Sequence, residues 1–485
     1  MSKDIINLTP QAVWKNFYSL TQIPRPSKHE EKIRKFMVDF GHKLGLETSI
    51  DKAGNVIIRK PATPGMENRK GVILQGHLDM VPQKNSNKNH NFETDPIEAY
   101  VDGDWVTANG TTLGADNGMG VSAAMAILES KDIAHGPIEA LFTADEETGM
   151  TGAFGIDPKV LKGDILLNMD SEDEGELYVG CAGGTDANIK LPFKKEAIPA
   201  GHVGFKVGIT GLKGGHSGME IILGRGNANK MINRWIKQAL KMGMRLGSID
   251  GGSLRNAIPR ESFAVVTIAS ELAEQLIQSV SKFETIFQNE FKAVEPDLSF
   301  KIEQEHTPEY LIDADSAMKL ANAVYGCPNG VMRMSDAVPG LVETSNNLAR
   351  VKSEDGYILL QCLLRSSVDS AKESLGEMVS SVFELAGAQV ELTGSYPGWK
   401  PNMESPILKT MQEVYNKLYG KIPETKAIHA GLECGLLGGV YPKLDMISFG
   451  PTIRYPHSPD EKVCIASVDK FWKYLIETLK AIPVK

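Results

Sequence analysis

Cysteine is scarce in this sequence, and its few copies lie far apart along the chain. None of them forms a Cys-x-x-Cys pair, and an odd number argues against a disulfide framework. These features exclude a zinc ribbon, a thioredoxin-type redox centre and a disulfide-stapled secreted domain. Free thiols packed in the core of a protein from a reducing cytoplasm are predicted instead. The five cysteines are Cys181, Cys327, Cys362, Cys434 and Cys464.

Long apolar runs and an excess of positive charge are also missing. No run approaches the roughly 20 apolar residues that span a bilayer, so no membrane association is predicted. Acidic residues outnumber basic ones by 61 to 52, which disfavours binding to a nucleic-acid backbone. The stretch that begins Met1-Ser2-Lys3-Asp4 lacks the apolar core of a signal peptide, and we expect a cytoplasmic protein. The remaining composition is that of a globular chain with room for two or three domains.

Three short apolar runs in the first 180 residues predict an α/β fold. They cover residues 71–76, 138–143 and 163–169, and a helical pattern at 121–128 separates the first two. Apolar runs of this length suit strands of a largely parallel sheet that is covered on both faces. Strands that alternate with helices imply a layered α/β architecture with right-handed crossovers.

The pattern changes near residue 185 and changes back near residue 397. Strands followed by helices between these points favour a separate α+β unit, whereas the final segment returns to α/β and ends in an amphipathic helix. The simplest interpretation is an insertion. Residues 1–185 and 397–485 are predicted to form one α/β domain with a mostly parallel central sheet, and residues 186–396 an inserted α+β domain.

Acidic and histidine side chains follow the apolar runs where the predicted strands end. Open α/β sheets bind ligands just outside the carboxyl ends of their strands, so we expect these side chains to meet at one sheet edge. Five segments carry them: His77-Leu78-Asp79, Glu146-Glu147, Asp170, His457 and, from the loop before the predicted helix, Asp116.

Two histidines and three carboxylates from this set have the donor atoms of a two-metal site, for which zinc is the first candidate. Three carboxylates offset three of the four charges of two divalent ions, and a hydroxide offsets the fourth. Without metal, the carboxylates would repel one another strongly. The five residues are His77, Asp116, Glu147, Asp170 and His457.

Spacing along the chain indicates further roles. His77 and Asp79 lie on the same side of an extended segment, so the carboxylate can hold the imidazole nitrogen that does not bind metal. Glu146 and Glu147 are adjacent and must point in different directions. One can bind metal while the other acts as the general base.

These motifs resemble those of the di-zinc M20 peptidase family, and the resemblance extends over essentially the whole chain. Longer strings resemble the subgroup of bacterial cytosolic enzymes that hydrolyse Xaa-His dipeptides. The family motifs are His77-Leu78-Asp79, Gly114-Ala115-Asp116-Asn117-Gly118, Glu146-Glu147, Asp170-Ser171-Glu172 and Pro456-His457-Ser458. The subgroup strings occupy residues 61–70, 212–218, 254–260 and 429–436.

The resemblance implies a role for each metal ligand. Asp116 would bridge two zinc ions, with His77 and Asp170 on one ion and Glu147 and His457 on the other. Manganese or cobalt could substitute for zinc. The peptide bond that follows Asp116 is expected to be cis.

The resemblance also implies the roles of five other residues. Glu146 would be the general base, and Asp79 would orient the imidazole of the first ligand. His216 would stabilise the oxyanion, reaching the active site of the partner subunit in a homodimer. Asn256 and Arg365 would grip the C-terminal carboxylate of the substrate.

The resulting hypothesis is a cytosolic di-zinc dipeptidase that hydrolyses Xaa-His dipeptides, including β-alanyl-histidine (carnosine), and other dipeptides. Residues 1–185 and 397–485 would be its catalytic domain, and residues 186–396 a lid and dimerisation domain. Two alternatives stay open: an amidohydrolase that acts on N-acyl amino acids, and a non-catalytic peptide-binding protein. His429 is either a substrate contact or a buried structural histidine, and Cys434 is predicted to be a packed thiol.

Overall fold

The computed structural model describes residues 3–485. Met1 and Ser2, which begin the stretch compared above with a signal peptide, lie outside the described residues. The packing of the backbone divides the chain into two compact units. Unit 1 comprises Met1–Cys181, Trp399–Ala427 and Leu432–Lys485, and unit 2 comprises Ala182–Gly398 and Ile428–Gly431.

The helices of the described residues are numbered in chain order. They are α1 Gln11–Thr21, α2 Glu31–Lys43, α3 Ala115–Glu129, α4 Glu146–Gly149, α5 Thr151–Phe154, α6 Ala228–Lys241, α7 Ala273–Phe291, α8 Ala314–Gly326, α9 Asp369–Leu385, α10 Pro406–Tyr419, α11 Glu433–Val440 and α12 Ile465–Ala481. Short 3₁₀ turns cover Lys3–Asn7, Ile221–Leu223 and Ser270–Leu272.

The strands are numbered in the same way. They are β1 Glu47–Ile50, β2 Val56–Lys60, β3 Val72–His77, β4 Ala99–Asp102, β5 Trp105–Ala108, β6 Ile138–Thr143, β7 Ile165–Asn168, β8 Glu176–Cys181, β9 Gly183–Pro192, β10 Lys195–Glu196, β11 His202–Thr210, β12 Gly215–His216, β13 Arg245–Gly251, β14 Ala257–Ile258, β15 Ser262–Ala269, β16 Ser299–Glu305, β17 Leu311–Ile312, β18 Gly330–Met334, β19 Val342–Ser353, β20 Tyr357–Ser366, β21 Gln389–Tyr396, β22 Glu424–Ile428, β23 Asp445–Ser448, β24 Ile453–Arg454 and β25 Lys462–Cys464.

Unit 1 is built on an eight-stranded sheet in the order β1-β2-β6-β3-β7-β23-β8-β22. Its four central strands β6, β3, β7 and β23 run parallel to one another, and Val72 pairs with both Ile138 and Ile165. The pairs β1–β2, β2–β6 and β23–β8 at the two sides are antiparallel. The α/β class and the parallel centre predicted from the apolar runs are confirmed.

Burial explains why the central strands are apolar along their whole length. Every residue of β3, β6 and β7 is buried, as expected for parallel strands covered on both faces. Helix α3 is apolar all round, and its residues 117–128 are all buried. The core that these elements share includes Trp14 and Phe17 of α1 and Phe471 of α12.

Unit 2 contains a long antiparallel sheet in the order β16-β11-β15-β13-β19-β20-β9-β21, and β18 also pairs with β19. Helices α6 to α9 belong to this unit. Helix α6 buries an apolar stripe, since Ile232, Trp235 and Ile236 are fully buried. The helix ends at Lys241, just before Gly243, whose φ of 92° is a conformation that glycine adopts without strain.

Membrane-spanning helices and cysteine burial concern both units. Along residues 3–485, every helix is too short or too polar to cross a lipid bilayer. All five cysteines are free thiols, and all except Cys464 are buried, as predicted for core thiols.

Candidate metal centre

The predicted ligands of unit 1 converge at the carboxyl ends of the parallel strands. His77 is the last residue of β3, Glu146 and Glu147 begin the short helix after β6, and Asp170 lies two residues beyond β7. Asp116 stands in the first turn of α3. This sheet edge is where an open parallel sheet places its ligands.

Asp116 lies between the two histidines. Its Oδ1 is 3.1 Å from Nε2 of His77, and its Oδ2 is 3.2 Å from Nε2 of His457. Oδ1 of Asp170 lies 3.4 Å from the same nitrogen of His77, and Oε2 of Glu147 lies 3.0 Å from that of His457. Each histidine therefore faces Asp116 and one further carboxylate.

Four groups of three side chains among the described residues have the geometry of a metal site, and two of them share Asp116. Potential ligand atoms of His77, Asp116 and Asp170 all lie within 4.8 Å of one another, and so do those of Asp116, Glu147 and His457. Among the described residues, the buried oxygens Glu147 Oε1 and Asp170 Oδ1 find no hydrogen-bond partner. Nitrogen and carboxylate donors with unsatisfied oxygens fit the binding of divalent metal ions.

The charges of the two histidines reflect the carboxylates around them. Hydrogen bonds with Asp116 and Glu147 raise the pKa of His457 to about 11. Burial opposes a charge on His77, but Asp170, Asp116 and Asp79 outweigh it and raise its pKa well above the ordinary value. Because only a neutral imidazole binds metal, metal binding at this centre competes with protonation of the two rings.

Asp79 contacts both His77 and the two glutamates. Its Oδ1 lies 3.3 Å from Nδ1 of His77, the nitrogen that faces away from Asp116. The same carboxylate accepts hydrogen bonds from the backbone N–H groups of Glu146 at 3.0 Å and Glu147 at 3.2 Å. Burial acts against ionisation, but His77, the Ser27 hydroxyl and the N–H of Glu146 together lower the pKa of Asp79 to about 2. The sequence spacing predicted the contact with the imidazole but not those with the glutamates.

Glu146 differs from the other carboxylates of the centre. None of the described residues donates a hydrogen bond to its side chain. One of its oxygens lies near potential ligand atoms of His77 and Glu147. Burial raises its pKa well above the ordinary value, and the charges of Asp170 and Glu433 act in the same direction while His77 opposes them. A carboxylate with a raised pKa and free oxygens can accept and return a proton near neutral pH.

Two buried charged residues support this centre and are not among those predicted from the sequence. Glu461 accepts hydrogen bonds from four successive backbone N–H groups, those of residues 113–116, at 2.7–3.2 Å. Arg25 donates to the carbonyl oxygens of Leu78, Asp79 and Gly114. The only signal in the sequence was the spacing of Glu461, four residues after a predicted ligand.

The expected cis peptide between Asp116 and Asn117 is confirmed.

Glu433 is a third buried ionisable residue that the sequence did not reveal. Its Oε2 accepts hydrogen bonds from Gln75 Nε2 at 2.5 Å and Thr143 Oγ1 at 2.7 Å, and burial raises its pKa to about 7. These partners belong to β3 and β6, so Glu433 lies beneath the strand ends that carry the ligands. Its neighbour Cys434 is fully buried, and burial raises the pKa of its thiol, in agreement with the predicted packed thiol.

The predicted substrate residues of unit 2 lie in one region of that unit. His216 is paired with Ala257, which is next to Asn256. Burial lowers the pKa of His216, and the positive charge of Arg365 lowers it further. Arg365 is buried on β20, and its Nε has no hydrogen-bond partner among residues 3–485.

Burial lowers the pKa of both His216 and His429 below the ordinary value of histidine. Nδ1 of His216 accepts hydrogen bonds from the backbone N–H groups of Gly218 and Met219, so its proton is on Nε2. His429 is buried, with its Nε2 2.7 Å from the Ser345 hydroxyl, and burial lowers its pKa to about 3. These surroundings favour the interpretation of His429 as a buried structural histidine rather than as a substrate contact.

A model of Peptidase family M20/M25/M40 matches residues 73–481 of the sequence. The chain belongs to this peptidase family. The M20 peptidases are metal-dependent enzymes, and the donor set at the strand ends fits divalent metal binding.

Relatives of this M20 peptidase match it over its whole length. The cytosol non-specific dipeptidase of Escherichia coli (strain K12) is 47% identical over 483 residues, which cover 99% of this chain and 100% of that protein. The crystal structure of aminoacylhistidine dipeptidase from Vibrio alginolyticus is 49% identical, with a TM-score of 0.93 and coverage of 99% of this chain and 98% of that one. A tripeptidase from Staphylococcus aureus shares the fold at 17% identity, with a TM-score of 0.58 and coverage of 98% and 99%.

Proposed function

We propose that this M20 peptidase is a cytoplasmic dipeptidase with two zinc ions, which hydrolyses Xaa-His dipeptides, including β-alanyl-histidine (carnosine), and other dipeptides. The observation that carries the proposal is the position of Asp116, whose two oxygens face His77 and His457 at 3.1 and 3.2 Å. Two full-length relatives are a cytosol dipeptidase and an aminoacylhistidine dipeptidase, and they support the compartment and the substrate class.

Each metal position draws on three side chains of unit 1. His77 and Asp170 would hold one ion, Glu147 and His457 would hold the other, and Asp116 would bridge them. Divalent ions held by these residues would polarise a peptide carbonyl and make a water molecule more acidic. Manganese or cobalt accepts the same nitrogen and oxygen donors.

Glu146 would serve as the general base. It has no hydrogen-bond donor among the described residues, and its backbone is fixed because its N–H donates to Asp79 at 3.0 Å. The raised pKa of Glu146 suits a group that takes a proton from the attacking water and delivers it to the leaving amine. Asp79 would then position both this base and the imidazole of His77.

Three residues of unit 2 would act on the substrate. The Nε2–H group of His216 is a donor that can stabilise the negative charge developing on the carbonyl oxygen, and Arg365 and Asn256 would bind the C-terminal carboxylate. We further propose that unit 1 is the catalytic domain and unit 2 a lid and dimerisation domain. In a homodimer, His216 would serve the active site of the partner subunit.

Comparison of two histidine derivatives tests this proposal. The chain is stripped of metal, loaded with zinc and assayed with β-alanyl-histidine and with N-acetyl-histidine. Hydrolysis of β-alanyl-histidine that a strong chelator abolishes and added zinc restores is the expected result. Preference for N-acetyl-histidine would instead identify an amidohydrolase for N-acyl amino acids, and binding without hydrolysis would identify a peptide-binding protein.

A further inference from the structure

The carboxylate of Asp79 accepts a hydrogen bond from a residue that has no assigned role. The Oγ hydroxyl of Ser27 donates to Oδ2 of Asp79 at 2.8 Å. The N–H of Glu147 donates to the same oxygen at 3.2 Å, whereas Oδ1 accepts from the N–H of Glu146 at 3.0 Å and lies 3.3 Å from Nδ1 of His77. Among the described residues, Ser27 is the only hydrogen-bond donor to this carboxylate from outside the segments that carry candidate ligands.

The backbone around Ser27 is fixed against the segment that follows β3. The N–H of Met80 donates to the carbonyl oxygen of Arg25 at 3.1 Å, and the N–H of Ser27 donates to that of Met80 at 3.3 Å. Pro26 and Met80 form an isolated parallel bridge, and Nη1 of Arg25 donates to the carbonyl oxygen of Asp79 at 3.0 Å. The position of the Ser27 hydroxyl is therefore set before it contacts the carboxylate.

The hydroxyl has two possible acceptors and favours one of them. The carbonyl oxygen of Met80 lies 3.4 Å from Oγ of Ser27, beyond the usual range for a hydroxyl donor. The carboxylate oxygen of Asp79, at 2.8 Å, has the common length of such a bond. Because backbone bonds already hold the Ser27 segment, the fold does not depend on the hydroxyl.

Asp79 in turn fixes the turn that carries the two glutamates. Helix α4 begins at Glu146 and has four residues, so its first N–H groups need acceptors from outside the helix. The preceding residue, Asp145, has a φ of 51°, a conformation that non-glycine residues seldom adopt and that surrounding contacts must maintain. The last torsion of an aspartate side chain is soft, so the carboxylate of Asp79 is oriented by its hydrogen bonds.

We propose that Ser27 is a positioning residue for peptide hydrolysis: by orienting the Asp79 carboxylate, it fixes the backbone of Glu146, the proposed general base. This inference rests on the proposed dipeptidase function and adds a residue that acts through Asp79 without touching the substrate. Loss of the hydroxyl should therefore slow the chemical step and leave substrate binding unchanged.

Substitution of Ser27 tests this role by kinetics on the zinc-loaded chain with β-alanyl-histidine. In Ser27→Ala we expect kcat to fall roughly 5- to 50-fold, while KM stays within about twofold of the wild-type value. Ser27→Thr keeps a hydroxyl at a half-buried position and should recover most of the lost kcat. The matched control is Ser19→Ala on α1, which removes a hydroxyl that donates to the carbonyl oxygen of Lys15, and it should behave as the wild type.

Hydrogen–deuterium exchange of the metal-free chain gives a second measurement, which does not depend on activity. The amides of Glu146 and Glu147 donate to Asp79, so in Ser27→Ala they should exchange about threefold faster or more, while those of the buried strand β6 keep their wild-type rates. Asp79→Ala should free the same two amides. Adding Ser27→Ala to Asp79→Ala should then cause no further change, because the group through which Ser27 acts is already absent.

Four results would overturn the inference. They are a wild-type kcat in Ser27→Ala, a Ser27→Thr variant no more active than Ser27→Ala, unchanged exchange at Glu146 and Glu147 in Ser27→Ala, and a further increase when Ser27→Ala is added to Asp79→Ala. Failure of the proposed function is recognised separately, because the wild-type chain itself would then not hydrolyse β-alanyl-histidine.

Discussion

Glu461 holds the backbone of Asp116 in place across 345 positions of the sequence. Its Oε1 accepts a hydrogen bond from the N–H of Asp116 at 3.2 Å and another from that of Ala115 at 2.7 Å. Glu461 also follows His457 by four residues. This one buried carboxylate therefore connects the segment that carries Asp116 with the segment that carries His457. The position of the proposed bridging residue is thus set by a contact that no local motif encodes.

Replacement of this carboxylate tests its positioning role. In Glu461→Gln, a single amide oxygen faces four N–H donors, and its NH₂ group opposes them. We expect the metal-free chain to lose about 1–3 kcal/mol of unfolding free energy in urea and to bind zinc more weakly. The exposed Glu404→Gln variant serves as the control. Zinc affinity and stability equal to those of the wild type would contradict the role.

The adjacent glutamates are expected to respond differently to the same isosteric change. Glu146→Gln removes a proton acceptor without changing volume, so turnover should fall by at least ~100-fold while the zinc content stays at the wild-type level. Glu147→Gln removes an oxygen that faces His457 and should lower the zinc content. Elemental analysis alongside the assay separates the two effects, and the opposite pattern would show that the roles are reversed.

Arg365 is expected to recognise the free carboxylate of the substrate. Its guanidinium is buried and its Nε has no protein partner among the described residues. In the wild type, amidation of a dipeptide should lower kcat/KM by roughly 10- to 100-fold. In Arg365→Ala the acid and the amide should become nearly equal, whereas the exposed Arg333→Ala should behave as the wild type. A full preference for the free acid in Arg365→Ala would remove this residue from the site.

His216 provides a test of the shared active site. Glu146→Ala and His216→Ala are each expected to be inactive, and their co-expression gives mixed dimers. If His216 serves the partner subunit, one site of each mixed dimer contains both an intact Glu146 and an intact His216, and activity returns. Purified mixed dimers as inactive as their parents would show that His216 does not act across the subunits.

The apolar runs predicted β3, β6 and β7 because continuous burial on both faces leaves a clear local pattern. The candidate ligands followed from that prediction, since parallel strands bring their carboxyl ends to one edge. The outer strands were harder to predict. β1, for example, is exposed at three of its four positions and carries no apolar run.

The supporting residues could not be predicted for a different physical reason. Arg25 and Glu461 interact with backbone groups, and the direction of an N–H or a C=O depends on the folded chain rather than on residue type. Similarly, Asp173 is paired with Arg454, which comes from a distant segment of the chain. Such relationships appear only when segments separated in sequence are brought together.

A zinc titration of the metal-free chain tests the central claim most directly. Hydrolysis of β-alanyl-histidine is measured as zinc is added in known ratio to the protein, with the metal bound per chain determined at each step. We predict that activity rises to a plateau at two zinc ions per chain, in accordance with two positions that share Asp116. A plateau at one ion per chain, or full activity in the metal-free chain, would contradict the two-metal dipeptidase.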